Sequence, residues 1–134
     1  MIARTPSSAI QMADEAFNRG DLEGMLVFYE EEATMLFGPN EVLTGKAAIR
    51  KAIAQLLAMR VVARHEKTHV IEQADIALWG SNWSVTGTAP DGSRIARRGT
   101  SSVILRRGAD GGWRVAIENP WAAAILDSEA TTSV

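Results

Sequence analysis

Apolar positions recur every three to four residues in three early stretches of the chain, and roughly every second residue in most of its second half. Ile10, Ala13 and Phe17 stand at helical spacing, and Thr5-Pro6 ahead of them supplies an N-cap and a first-turn proline. Asn18-Arg19-Gly20 stops that helix, with Gly20 free to take the left-handed cap. Asp21 opens a second helix over 22–31 with the apolar stripe Leu22, Met25, Leu26 and Tyr29. A third, over 46–59, carries Ala47, Ile49, Ile53, Leu56 and Leu57 on one side and Arg50, Lys51 and Gln55 on the other. Between the second and third lie a short strand at 33–37, a Gly38-Pro39-Asn40 turn and a brief return strand at 42–44. The remainder reads as four long strands in hairpin succession, 61–71, 76–89, 94–107 and 113–121. This order predicts an α+β fold, with helices packed on one face of an antiparallel sheet. A single domain over 1–126 and a small, polar, flexible tail over 127–134 are expected.

Strand parity assigns side chains to faces. Trp113, Val115, Ile117, Asn119 and Trp121 share one face of the last strand, with Asn119 a polar interruption of an apolar row. Ala77, Trp79, Ser81, Trp83 and Val85 share a face of an earlier strand, again with a polar residue between aromatics. Trp is large for a core of this size, and its N–H needs a partner. An apolar wall with a few placed polar groups is the make-up of a small-molecule cavity. The candidate wall is Phe37, Trp79, Trp83, Ile117 and Trp121, with Tyr29, Ser81, Ser101 and Asn119 as polar contacts. Glu118 joins them only if Pro120 marks a bulge that changes the strand's facing.

Composition narrows the classes. The 134 residues contain no Cys, which removes disulfides, thiolate metal sites and cysteine nucleophiles. No apolar run is long enough for a membrane span, and the first residues lack the apolar core of a signal peptide, so a cytoplasmic protein is expected. Net charge is −2, which does not favour nucleic-acid binding. The charge is segregated: residues 1–45 hold two Arg against eight acids, and 46–134 hold twelve Lys or Arg against eight. This implies two solvated faces of opposite sign, relevant to association rather than fold.

His65-Glu66-Lys67-Thr68-His69 matches the H-E-x-x-H zinc pattern, which works on a helix, where the two imidazoles share a face. The flanking Val61-Val62 and Val70-Ile71 favour a strand. There the two His stand about 13 Å apart along the chain. No metal and no cofactor are expected, and the two His are expected on the surface or at a dimer contact.

The runs Asn18-Arg19-Gly20-Asp21-Leu22-Glu23-Gly24, Phe28-Tyr29-Glu30-Glu31-Glu32-Ala33-Thr34 and Leu43-Thr44-Gly45-Lys46-Ala47-Ala48-Ile49, with the ending from Asp110 to Trp121, form a recognisable series. The chain resembles the nuclear transport factor 2-like superfamily, which includes ketosteroid isomerases and SnoaL-like polyketide cyclases, in its small bacterial branch. The resemblance implies a cystatin-like cone, a strongly curved sheet wrapped around the three helices of the first half. It also implies a pocket between them and a homodimer formed through the outer sheet face. At the positions where ketosteroid isomerases hold a general-base Asp, a phenol and a second carboxylic acid, this chain has Phe37, Ala13 and Ser101 or Ser102. The expectation is therefore a protein that binds a small apolar ligand, with or without catalysis, and without ketosteroid isomerisation. The alternative is a dimeric association module that uses its charged faces.

Overall fold

The structure is a computed structural model and describes residues 2–127. The expected tail lies outside the described residues except for Asp127. Helix α1 runs Pro6–Asn18 behind a capping box in which Thr5 and Ser8 exchange side-chain-to-backbone hydrogen bonds. It ends with Gly20 at φ 80°, a conformation open to glycine. Helix α2, Leu22–Leu26, is capped by Asp21, whose carboxylate accepts from the Gly24 amide. Strands β1, Tyr29–Gly38, and β2, Glu41–Thr44, precede helix α3, Lys46–Ala58. The four long strands are β3, Val62–Gln73, β4, Ile76–Thr88, β5, Arg94–Arg107, and β6, Trp113–Asn119. A short 3-10 turn follows at Ala122–Leu126.

The second helix is five residues long, shorter than the stretch over 22–31 that its stripe predicts. Val27, Phe28 and Tyr29 favour strand, and the Phe28 carbonyl accepts from the Val115 amide at 2.8 Å, drawing the chain into the sheet. Tyr29 therefore starts β1 opposite Val115 rather than ending a helical stripe.

The six strands lie in the order β2-β1-β6-β5-β4-β3. All pairings are antiparallel except β1 with β6, which is parallel and departs from the expected all-antiparallel sheet. The helices cover the concave face. Ala9, Ile10, Ala13 and Phe17 of α1 and Ile49 and Ile53 of α3 pack with Leu26, Met35, Trp79, Val103, Leu105, Trp113 and Val115 in one core.

Two irregularities set which side chains face inward. Between β5 and β6 the register passes from Ile104↔Ile117 to Leu105↔Val115, so Ala116 is an extra residue, a bulge. Val115 and Ala116 are both buried, and the alternation then resumes in the opposite phase. Between β3 and β4 the register skips Glu66 in the same way.

Candidate functional site

The concave side encloses a cavity of about 280 Å³. Its wall is mostly apolar and includes Phe17, Met35, Phe37, Trp79, Trp83, Val103 and Trp121. Trp83 leans across β5, where a Cβ on Gly99 would stand 2.5 Å from its Cζ2 atom, so the strand needs glycine there. The Trp83 indole N–H donates to the Pro120 carbonyl at 2.6 Å, tying β4 to the segment after β6. Trp79 is 2% exposed, and its indole nitrogen is a buried side-chain polar atom that finds no acceptor. Leaving such a donor unpaired costs about 1–3 kcal/mol.

Two polar groupings interrupt the wall. In the first, the Tyr29 hydroxyl donates to Oε1 of Glu118 at 2.6 Å. Burial pushes the Glu118 carboxyl above its ordinary value, the charge of Asp14 adds to this, and the Tyr29 hydrogen bond and His65 act against it. Burial, then the neighbouring Glu118, raises the Tyr29 phenol well above its ordinary value, so it stays protonated as a donor. In the second, Asp14 of α1 lies 2.7 Å from Nε2 of His65, Nδ1 of His65 lies 2.7 Å from the Ser81 hydroxyl, and Ser81 lies 2.9 Å from the Ser101 hydroxyl. The imidazole also meets the Trp79 ring edge to face, with centroids 5.0 Å apart. Ser81 and Ser101 are each 5% exposed, but only Ser101 lines the cavity. When both imidazole nitrogens carry protons, Nε2 donates to Asp14 and Nδ1 to Ser81. Ser81 can then donate to Ser101, which leaves the Ser101 O–H free to point at a bound molecule. Ser81 lies behind the wall, so the Asp-His-Ser sequence does not present it as a nucleophile.

Of the residues expected at the site, Tyr29, Phe37, Trp79, Trp83, Ser101 and Trp121 line the cavity, and Ser81 hydrogen-bonds to one of its walls. Ile117 and Asn119 do not line it. The bulge at Ala116 turns Ile117 outward, 48% exposed, and brings Glu118 inward. The bulge that admits Glu118 is thus at Ala116 and not at Pro120. Asn119 instead caps the turn after β6, accepting from the Trp121 amide and donating to the Ala122 carbonyl. Trp121 reaches the cavity through this turn, because β6 has already ended.

His65 also departs from expectation. It faces the cavity beside Asp14 rather than the surface, while His69 is exposed on the same strand. The H-E-x-x-H run is strand, and no group of three or more His, Cys, Asp or Glu able to hold a metal occurs among the described residues. Asp14, His65 and Arg97 line the cavity without having been expected there from the sequence. The available signal was pairing: His65 lies opposite Trp83 and two residues from Ala63, both on the inward face.

A curved, unclosed sheet with three helices across its concave side and a polar-dotted cavity between them is the cystatin-like fold of nuclear transport factor 2-like proteins. Within that class, residues 10–116 match the SnoaL-like domain, and the chain belongs to that family. A ketosteroid isomerase-like protein from Erwinia carotovora atroseptica is similar in structure, at 21% identity and TM-score 0.74 over 84% of this chain and 89% of that one. So is a nuclear transport factor 2-like protein with a cystatin-like fold from Novosphingobium aromaticivorans, at 20% identity and TM-score 0.68 over 82% and 74%. A nuclear transport factor 2-like superfamily protein from Salmonella enterica has 13% identity and TM-score 0.74 over 83% of each chain. No curated protein matches the chain significantly.

Proposed function

We propose that the protein binds a small, largely apolar molecule in this cavity and moves a proton on it. The observation that carries this reading is the Glu118 carboxyl, raised by burial, hydrogen-bonded to Tyr29 through one oxygen only, on the wall of an apolar cavity. A carboxylate raised from its ordinary value is a stronger base and works closer to neutral pH. Its carboxylate takes a proton from a carbon next to a carbonyl, and the electron pair moves onto the carbonyl oxygen. With both His65 nitrogens protonated, the Ser101 hydroxyl, backed by Ser81, His65 and Asp14, donates to that oxygen. Glu118 then returns the proton to the original carbon or to another. Tyr29, held as a phenol, keeps the carboxyl oriented throughout. The ketosteroid isomerase positions of the general base and the phenol do not supply these roles, since Phe37 and Ala13 carry no acid or phenol.

The test is solvent-deuterium wash-in on 2-tetralone, a compact apolar ketone, followed by proton NMR. Wild type should exchange the protons beside the carbonyl at least tenfold faster than Glu118→Gln. Tyr29→Phe should slow exchange less than Glu118→Gln does. Equal exchange by wild type and Glu118→Gln contradicts the reading.

A second reading, of a homodimer through the outer sheet face, rests on a different observation. Ile71, Leu78, Ile104 and Ile117 are successive cross-strand partners over β3, β4, β5 and β6. They form one apolar row on the convex side, with Ile71, Leu78 and Ile117 each about half exposed. Such a row suits an isologous contact with a second copy. The two readings are compatible, because the row and the cavity lie on opposite faces of the same strands.

A further inference from the structure

Among the described residues, Arg97 is the one Lys or Arg side chain on the cavity wall. It stands on the inward face of β5 opposite Val85, and it enters no ion pair among the described residues. Arg98, the next residue, faces the other way and meets Glu66 at 3.5 Å. Arg106, Arg107 and Arg114 are likewise engaged by carboxylates. Arg97 is therefore an exposed guanidinium whose neighbouring wall is Trp83 and Val85.

Six residues further along the same strand, Val103 lies opposite Glu118. The cation and the carboxyl thus mark two ends of a strip of wall about 20 Å long measured along the strand. Trp83, lying over Gly99, and Ser101 lie between those ends. At the Glu118 end the groups are a carboxyl and a phenol, and the charge of Asp14 is felt there, offset in part by His65. That end repels an anion and accepts a neutral group. The Arg97 end does the reverse. A ligand with one anionic end thus has a single favourable direction of entry.

We propose that the ligand is an elongated monoanion, an apolar body bearing one carboxylate, with the carboxylate against Arg97 and the neutral reacting end carried to Glu118. One planar guanidinium matches one planar carboxylate in a two-bond fork. A phosphate dianion calls for more positive charge than one side chain supplies. This inference rests on the cavity being the ligand site, as proposed above, and adds the class and orientation of what it takes.

Titration calorimetry with two matched probes, 1-naphthylacetate and its neutral amide, separates the two claims. Wild type should bind the carboxylate about tenfold more tightly than the amide at low ionic strength, and added salt should shrink the gap. In Arg97→Gln the two affinities should converge, chiefly through weaker binding of the carboxylate. Arg97→Lys should keep part of the preference. Because Arg97 is exposed and unpaired, these variants should fold as wild type does, checked by their unfolding curves. Equal binding of both probes by wild type, or a preference that persists in Arg97→Gln, overturns the orientation and leaves the cavity reading standing. If neither probe binds wild type, the cavity reading fails and this proposal falls with it.

Discussion

At the scale of single residues, Asn119 shows how a polar side chain in an apolar row can be misplaced. Alternation from Trp113 through Trp121 puts it beside the aromatics, but the extra residue at Ala116 reverses the phase three positions earlier. Nothing in Val115-Ala116-Ile117-Glu118 marks the bulge locally, since Ala116 suits either face of a strand. Both polar ends of Asn119 are satisfied by the turn it caps. Asn119→Ala should therefore cost about 1–2 kcal/mol of stability for two lost hydrogen bonds, read as a lower urea midpoint. It should leave naphthylacetamide binding within threefold of wild type. Unchanged stability with lost binding would return Asn119 to the cavity wall. His65 and Asp14 were illegible for another reason. Their contact joins a helix to a strand about fifty residues away, and no local spacing encodes that distance. By contrast, Trp79, Ser81 and Trp83 were legible because the stretch of β4 that carries them alternates without a bulge.

At the scale of elements, the strongly periodic segments were readable to within a residue or two. The expected strand at 94–107 matches β5, and the third helix differs from expectation only in its last residue. Errors collect where tertiary pairing outweighs local preference. The second helix gives way to strand after Leu26, because pairing with β6 satisfies the backbone of β1. The parallel pairing of β1 with β6 joins segments almost ninety residues apart, so it leaves no trace in any short window of sequence. These two departures matter for the site. The first makes Tyr29 a strand residue opposite Val115, and the second sets Met35 of β1 beside Glu118. Together with the bulge, they bring the phenol and the carboxyl into one hydrogen bond.

At the scale of the whole molecule, one sheet presents two faces with different chemistry. The convex row of Ile71, Leu78, Ile104 and Ile117 predicts self-association. Sedimentation velocity should find wild type as a dimer and Leu78→Glu as a folded monomer, since a buried unpaired carboxylate opposes the contact. A wild-type monomer at micromolar concentration would contradict it. On the concave face the decisive group is Glu118, a cavity carboxyl held above its ordinary range by burial and reachable by a ligand. Because its native value is raised, the folded state binds this proton more tightly than the unfolded chain does. Glu118 thus adds stability at pH below the usual carboxylate range near 4.5, and that stability is lost as pH rises towards the native value. The decisive experiment is a carbon-13 NMR titration of the glutamate side chains, with Glu118 assigned by its absence in Glu118→Gln. The expected result is a Glu118 midpoint clearly above 4.5 that moves further when naphthylacetamide is added. A midpoint at the ordinary value, indifferent to the ligand, would contradict a half-buried, ligand-facing carboxyl.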